Sequence, residues 1–389
     1  MSQIDLGRLR VLPLTQRKSL TSIDDILINP DSPAPAVPDE LLAKIDQAAQ
    51  CIANARRTGA SVMLIYGAHL LRNGAALILE RMMSRGWLTH LATNGAGSIH
   101  DWEYAFLGRS TENVRENVAT GTFGAWDETC RNICIALLAA GINNEGYGRA
   151  IGRFIAEDGV TLPDPSELEE QIRRNPADPL TPARAELLST MRQHTIPSGP
   201  YRLEHRWKHT SIFASAFRHN IPLTVHPGIG YDIITVHPMF NGAAIGRAAQ
   251  RDFSLFCDAV DRLDNGVVLS IGSAIMGPQV FEKSLSCVNN LRLQRDRSVS
   301  PPRQFGSRWS RGAAGGSDLS RSVSGHSIYV VDLQPSGGWD WSQGEPPKQN
   351  PAYYLRFCKS YCRMGGQMHY LQSDNIAFIH NLFHRLSAS

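Results

Sequence analysis

The sequence predicts an α/β fold: a doubly wound, mostly parallel Rossmann-like sheet with a helical N-terminal arm and a helical insertion. Short apolar runs at 61–66, 88–93, 221–225, 266–272 and 327–333 have the length and composition of buried strands. Helical patterns separate these runs, and strands that alternate with helices indicate βαβ units and a parallel sheet. Small or polar residues follow several of the runs, at the edge where open α/β sheets bind ligands.

The chain is expected to divide near residue 60. A mixed, proline-rich arm leads to a helix from Pro38 to about Thr58, and residues 61–389 form the main domain. Polar helical patterns at about 143–200 predict a lobe or cap within that domain. The stretch at 295–325 is rich in Ser, Arg and Gly, which predicts a mobile loop, either a solvated insertion or a lid. The other expected helices lie at 70–85, near 99–107, and at 125–141, 203–218 and 248–263.

The composition is that of a soluble globular protein. The 389 residues are 42% hydrophobic and 19% charged, with a formal net charge of +3. This near balance argues against nucleic acid as the main partner, and the lack of a long apolar run argues against a membrane. Seven cysteines at irregular spacing do not form a disulfide pattern, which favours a reduced, cytoplasmic protein. No strong metal-ligand spacing is present, so no metal site is predicted.

The turns after the first two predicted strands are the first candidates for a cofactor site. Gly95, Ala96 and Gly97 have almost no side chains, so a ligand can approach backbone N–H groups there. His100 and Asp101 follow at the beginning of a helix, where a carboxylate either binds ribose hydroxyls or caps the helix. No GxGxxG fingerprint is present, so these turns alone do not identify a dinucleotide site.

Five segments together resemble the deoxyhypusine synthase family. They are YGAHLLRNG (66–74), ATNGAGSIHD (92–101), PGIGYD (227–232), IGSAIMG (271–277) and YYLRFCKSY (353–361). That family uses NAD and a polyamine on a doubly wound parallel sheet, and it assembles as tetramers. The resemblance therefore implies NAD as cofactor, a small-molecule amine as substrate and a homo-oligomer.

The resemblance also implies roles for individual residues. Lys359 stands at the place of the family's catalytic lysine, where a desolvated amine holds the substrate as an imine. Asp232 stands at the place of the aspartate that binds the polyamine. His237 is the candidate for proton transfer, because Pro278 occupies the place of the family's histidine. The residues expected to contact the cofactor are Gly67, Ala68, His69, Thr93, Asn94, Gly95, Ala96, His100, Asp101, Gly228, Gly272, Ser273 and Asp332.

The leading function hypothesis is NAD-dependent transfer of an aminoalkyl group from a polyamine-type donor to an acceptor amine, through an imine on Lys359. The family's Trp-Gly-Lys is here Phe357-Cys358-Lys359, which argues against authentic deoxyhypusine synthesis. Two alternatives stay open: an NAD-dependent enzyme acting on another small amine, amino acid or sugar derivative without a lysine imine, and a non-catalytic NAD-binding sensor. Lys359 as an ordinary surface lysine, and His226 and His237 as strand-end caps, also stay open.

Overall fold

A computed structural model of the chain describes residues 4–294 and 322–388. In chain order, its strands are β1 (Thr21–Ser22), β2 (Val62–Tyr66), β3 (His90–Asn94), β4 (Arg109–Ser110), β5 (Gly159–Leu162), β6 (Gly199–Arg202), β7 (Leu223–His226), β8 (Val267–Ile271), β9 (Ser327–Asp332) and β10 (Gln367–Gln372). Its α-helices are α1 (Ile23–Ile26), α2 (Asp39–Thr58), α3 (Ala68–Arg72), α4 (Ala76–Ser84), α5 (Gly95–Leu107), α6 (Val114–Thr120), α7 (Asp127–Gly141), α8 (Tyr147–Ala156), α9 (Pro165–Arg174), α10 (Thr181–Gln193), α11 (Ile212–Arg218), α12 (Gly242–Asp261), α13 (Met276–Gln294), α14 (Arg356–Cys362) and α15 (Asn375–Ala388).

The predicted fold class is confirmed by the central sheet. Its six strands are all parallel and lie in the order β10-β9-β8-β2-β3-β7. From β2 the chain winds outward through β3 to β7, then returns to the other side of β2 and winds through β8 and β9 to β10. This is the strand order of a doubly wound dinucleotide-binding sheet, and its direction of winding reverses between β2 and β8.

Helices cover both faces of the sheet, and the alternation of side chains along β2 shows the two layers. Val62, Leu64 and Tyr66 point into a large core that includes α2, α4, α5, α8, α11 and α15. Met63 and Ile65 point into a second core that includes α12, α13 and α14. Because β2 is buried on both faces, its sequence is continuously apolar, which is the signal that predicted it.

Several expected helices have different boundaries, and α5 and α12 begin earlier than expected, at Gly95 and Gly242. The predicted helix at 70–85 is two helices, α3 and α4, separated at Gly74, whose φ of +91° breaks the helix. The glycine is required there, because a Cβ atom would lie 1.8 Å from the carbonyl oxygen of Ile26. The predicted helix at 203–218 begins late, at Ile212, and a short 3₁₀ turn at Lys208–Thr210 precedes it.

The predicted polar lobe at 143–200 is partly buried. Helix α8 belongs to the main core, and the carboxylate of Asp252 holds it against the sheet. This carboxylate accepts hydrogen bonds from the backbone N–H of Gly148 at 2.9 Å and of Val225 at 2.7 Å. The rest of the segment, α9, α10 and β5, packs with α7 around a smaller core of its own.

The C-terminal region contains elements that the sequence patterns did not predict, among them β10 and α15. Strand β10 extends the sheet beside β9, with Gln367 opposite Ser327, and α15 packs against α2. Of the loop predicted at 295–325, residues 295–321 lie outside the described residues. Among the described residues, no helix combines the length and apolar character needed to cross a lipid bilayer.

The N-terminal arm is joined to the main domain by backbone hydrogen bonds. Strand β1 pairs antiparallel with β4, and Leu12 donates to the carbonyl of Ala125 at 2.9 Å. The backbone N–H of Leu14 donates to the Glu128 carboxylate at 2.6 Å. These contacts position the residues between them, which include Arg17, beside helix α5.

Candidate functional site

A cavity of about 310 Å³ lies beyond the carboxyl ends of β2, β3 and β7. It is enclosed by the N-terminal arm, by α3, α5 and α6, and by the loop that follows β7. Its volume is sufficient for a small organic ligand. The residues that line it are Arg17, Leu20, Arg72, Ala96, Ile99, His100, Glu103, Thr111, Glu112, Val114, Phe123, Tyr231, Asp232 and Ile233. Of the predicted site residues, Ala96, His100 and Asp232 are among them.

Helix α5 forms one wall of the cavity, and its sequence explains where it begins. The side chain of Asn94 caps the helix by accepting a hydrogen bond from the backbone N–H of Gly97 at 3.0 Å. Gly97 packs against the side chain of Thr93, where a Cβ atom would lie 2.1 Å from the hydroxyl oxygen. Thr93 in turn donates to the carbonyl of Tyr66 at 2.9 Å, which ties the end of β3 to β2.

Asp232, in the loop after β7, packs against the first turn of helix α5. Its carboxylate is so close to Gly95 that a Cβ atom there would be 2.0 Å from an Asp232 oxygen. The small-residue turn at 95–97 is thus covered by a carboxylate of the chain itself. Burial raises the pKa of Asp232 to about 6, and the backbone N–H of Gly228, which donates to this carboxylate at 2.7 Å, partly opposes the rise. Asp232 is therefore a group that gains and loses a proton close to neutral pH.

A buried ion pair forms a second wall. The Arg17 guanidinium donates to both carboxylate oxygens of Glu103, at 2.7 and 2.8 Å, and both side chains are 1% exposed. Glu103 also accepts hydrogen bonds from Ser110 at 2.5 Å and from Thr129 at 2.9 Å. Because Arg17 is buried together with the carboxylate of Glu103, the charge of Arg17 is already compensated within the protein.

His100 is linked to this network but is uncharged. Its Nδ1 atom is 2.7 Å from the hydroxyl of Ser110. Burial lowers the pKa of His100 to about 4, and the effect of burial outweighs the attraction of the nearby Glu103 carboxylate. His100 is therefore neutral at pH 7 and contributes a polar surface without a positive charge.

Three charged side chains of the cavity have no oppositely charged partner among the described residues. Arg72 makes no ion pair, and its Nε atom is buried without a hydrogen-bond partner. Asp232 accepts only from a backbone N–H group. Glu112 accepts from neutral donors, the side chains of Asn117 at 2.5 Å and Trp126 at 3.0 Å and a backbone N–H. The cavity therefore presents one unpaired guanidinium and two unpaired carboxylates.

The crevice between β2 and β8 lies at the point where the winding of the sheet reverses. Gly67 follows β2 and Gly272 follows β8, and a Cβ atom on Gly67 would lie 2.1 Å from the Gly272 carbonyl oxygen. Ala68 and Ser273 follow, both nearly buried, and the Ser273 hydroxyl accepts from the backbone N–H of Gly277 at 3.2 Å. Asp332 ends the neighbouring strand β9. These five residues, which were predicted to contact the cofactor, thus lie at the carboxyl edge of the sheet, where doubly wound sheets bind dinucleotides.

Other predicted site residues point elsewhere. Asp101 is 1% exposed, and its carboxylate bonds to the Ser211 hydroxyl and the backbone N–H of Ile212, so it caps α11 and does not face the cavity. His69 is exposed on α3. Gly228 lies under the ring of Tyr231, since a Cβ atom would be 1.6 Å from that ring.

The structure does not bring His226 or His237, the predicted proton-transfer residue, into contact with Asp232. His237 is buried, with Nε2 at 3.2 Å from Asp127 and Nδ1 accepting from the backbone N–H of Met239 at 2.9 Å. His226 lies 3.2 Å from the hydroxyl of Thr224 and stacks edge-on against an aromatic ring of α12. Neither histidine lines the cavity.

Lys359 is also outside the cavity. It lies on α14, on the other face of the sheet, and its amine is 3.7 Å from the centre of the Tyr353 ring. The side chain is half-buried, and the ring face provides an electrostatic partner for the ammonium group. Lys359 therefore lies outside the cavity that Asp232 lines, whereas the lysine-imine hypothesis requires both side chains to contact the same substrate.

The charged cavity residues that were not predicted include Arg17, Arg72 and Glu112. Arg72 was within the segment that follows the first strand, so its position after a sheet edge was an available signal. Arg17 and Glu112 had no such signal, because they reach the cavity through the pairing of β1 with β4. Within the part of the chain that the structure describes, no group of three or more His, Cys, Asp or Glu is arranged to hold a metal ion.

Comparisons with known proteins identify no family. No family model matches the sequence, and no curated protein matches it. Among solved structures, AgrE in complex with ornithine and NAD⁺ aligns with a TM-score of 0.39 at 13% identity, covering 91% of this chain and 34% of that one. ArgZ, an arginine dihydrolase from the ornithine–ammonia cycle in cyanobacteria, aligns at 0.40 and 12% identity, covering 89% of this chain and 33% of that one. A LOR/SDH protein from Methanococcus maripaludis S2 aligns at 0.38 and 15% identity, covering 97% and 74%.

The chain spans about a third of the length of AgrE and ArgZ. The resemblance to the deoxyhypusine synthase family is wrong: no family model matches, and the solved structures named above are of other proteins. The position of Lys359 agrees with this correction. The fold assignment rests on the strand order of the chain's own sheet.

Proposed function

We propose that this chain is an NAD-dependent enzyme that acts on a small amine-containing substrate without forming a lysine imine. The observation that carries the proposal is the adjacency of two features at one edge of the sheet. The crevice between β2 and β8 is where doubly wound sheets of this strand order bind dinucleotides, and the cavity beyond β2, β3 and β7 lies at the same carboxyl edge of the sheet.

The residues at the crevice have the properties that a dinucleotide needs. Gly67, Ala68, Gly272 and Ser273 place small or absent side chains beside the crevice, and Asp332 supplies a carboxylate for sugar hydroxyls. When bound, NAD would supply the acceptor for a hydride from a carbon atom of the substrate. The protein's own contribution is to orient the substrate and to take up the proton.

Asp232 is the residue proposed to take up that proton. With a pKa of about 6, set mainly by burial, it is ionised at neutral pH and becomes neutral in mildly acidic solution. Its carboxylate faces the cavity, so an amine bound there is within its reach. We expect the reaction rate to fall as the pH is lowered through about 6, because the protonated carboxyl group no longer accepts a proton.

The test combines NADH binding with turnover. NADH fluorescence titrations measure affinity for the full chain and for Asp332→Ala, with Asp39→Ala, an exposed carboxylate in the first turn of α2, as the matched control. We expect Asp332→Ala to weaken NADH binding about tenfold, as the loss of a hydrogen bond to a charged group does, and the control to have no effect. Amine-dependent NADH formation at 340 nm should disappear in Asp232→Asn while NADH binding remains.

The outcomes separate the proposal from its alternative. No NADH binding would show that the proposal is wrong. NADH binding without turnover on any amine or amino acid would instead support the non-catalytic NAD-binding sensor.

A further inference from the structure

The unpaired charges of the cavity define a pattern that a ligand must complete. Arg72 contributes one positive charge, and its buried Nε atom has no hydrogen-bond partner. A buried, unpartnered N–H group of a guanidinium is unfavourable, and a ligand oxygen that accepts from it removes the penalty. Guanidinium groups bind carboxylates in a planar, two-pronged geometry, so a carboxylate is the group that fits best.

The other cationic or titratable groups of the cavity do not compete for that carboxylate. Arg17 donates to both oxygens of Glu103, so its charge is satisfied. His100 is neutral at pH 7, because burial lowers its pKa to about 4. Arg72 is therefore the cation of the cavity lining that is free to bind a ligand anion.

The two remaining carboxylates favour positive charge on the same ligand. Asp232 and Glu112 line the cavity, and neither has a cationic partner among the described residues. The unpaired groups sum to one net negative charge. Apolar side chains, Leu20, Ile99 and Phe123, also line the cavity and provide contact for a short methylene chain.

We propose that the cavity binds a small α-amino acid with a cationic side chain, its carboxylate on Arg72 and its two ammonium groups at Asp232 and Glu112. This inference names the substrate class of the proposed function and rests on that function. A diamine fits less well, because it leaves Arg72 without an acceptor and adds a like charge beside it. A neutral amino acid fits less well, because it leaves one carboxylate without a cation.

Three probes of matched length test these statements by isothermal titration calorimetry on the full chain without NAD. L-lysine carries all three groups, cadaverine lacks the carboxylate, and L-norleucine lacks the side-chain ammonium. Since a hydrogen-bonded charged group contributes about 10- to 100-fold in affinity, we expect L-lysine to bind at least tenfold more tightly than either of the others.

Variants then assign the carboxylate contact. Arg72→Met should weaken L-lysine binding about 10- to 100-fold and leave cadaverine binding unchanged or stronger, which also shows that the variant is folded. Arg72→Lys keeps the charge without the planar fork and should give an intermediate loss. Arg115→Met removes an exposed arginine of α6 that does not line the cavity, and it should have no effect.

Equal affinities for L-lysine and either truncated probe would overturn the inference. So would equal effects of Arg72→Met and Arg115→Met on L-lysine binding. The proposed function is tested separately by NADH titration of the same samples. NADH binding without a preference for L-lysine leaves the proposed function and ends this inference. A preference for L-lysine without NADH binding ends the proposed function.

Discussion

The buried ion pair between Arg17 and Glu103 gives a prediction whose size follows from its geometry. Arg17→Ala removes two hydrogen bonds of 2.7 and 2.8 Å from a carboxylate that is 1% exposed. The hydroxyl groups of Ser110 and Thr129 remain, but both are neutral. Breaking a buried pair by removing one partner destabilises a protein by about 3–5 kcal/mol, because the other charge stays buried without compensation.

The surface of the same protein offers a matched comparison. Arg81 and Asp31 form an ion pair at 3.1 Å, but their side chains are 39% and 65% exposed. Exposed pairs contribute about 0–1 kcal/mol, so Arg81→Ala should change the free energy of unfolding by no more than that. Urea unfolding followed by tryptophan fluorescence and circular dichroism measures both variants against the wild type.

The destabilisation should depend on pH. Burial alone would raise the pKa of Glu103, but in the wild type Arg17, together with smaller contributions from His100 and Ser110, more than offsets this and holds the pKa below its usual range. Because the pKa of Glu103 is lower in the folded than in the unfolded state, its ionisation stabilises the fold at pH values above the unfolded pKa. This stability is lost as the pH falls through the folded pKa. In Arg17→Ala the effect of burial remains, so Glu103 takes up a proton more easily. We expect the deficit of the variant to shrink as the pH is lowered from 8 to 5.

A second substitution isolates the cause. Adding Glu103→Gln to Arg17→Ala replaces the uncompensated carboxylate by a neutral amide of similar shape, so stability should partly return. If Arg17→Ala loses no more stability than Arg81→Ala, or if the double variant is no more stable than the single one, the reasoning from a buried charge is refuted.

Two further substitutions test other parts of the structure. Asp252→Ala leaves two buried backbone N–H groups without an acceptor, so we expect the free energy of unfolding, measured by urea titration, to fall by about 2–4 kcal/mol. Asp252→Asn keeps one acceptor oxygen and should therefore lose less stability. Lys359→Ala should leave NADH affinity and amine-dependent NADH formation unchanged within about twofold, because this half-buried side chain contacts an aromatic ring and not the cavity. Loss of turnover in Lys359→Ala would instead restore a catalytic role for the lysine.

The strands that the sequence predicted correctly are the ones buried on both faces. β2 is continuously apolar and β8 is apolar except for Ser270, so each has a signal that does not depend on its neighbours. β10 lies at the edge of the sheet and reads QMHYLQ, with exposed glutamines at both ends, so its pattern is weak without knowledge of β9. The break at Gly74 depends on a contact with Ile26, which is distant in sequence and cannot be predicted from the local helical pattern.

The candidate site shows the same division. Asp232 and His100 follow strand ends, and the carboxyl edge of a parallel sheet is predictable from the order of strands and helices. Whether such a residue faces a cavity depends on side-chain direction, and Asp101, one position after His100, points to α11. Arg17 lies 86 residues from its partner Glu103, and only the folded arm brings the two together. The sequence therefore predicts the sheet edge at which the cavity lies, but not the charged side chains of Arg17, Arg72 and Glu112 that line the cavity.

The ion pair of Arg17 and Glu103 also decides which charges a ligand meets. Because the two side chains satisfy each other, Arg72, Asp232 and Glu112 remain to select the ligand. The double variant Arg17→Ala with Glu103→Gln removes one positive and one negative charge together, so the preference for L-lysine over cadaverine and L-norleucine should persist in it. Arg17→Ala alone adds an unpaired carboxylate to the wall, which should strengthen cadaverine relative to L-lysine in the same titrations. If the double variant loses the preference, Arg17 itself contacts the ligand, and the assignment of the carboxylate to Arg72 is wrong.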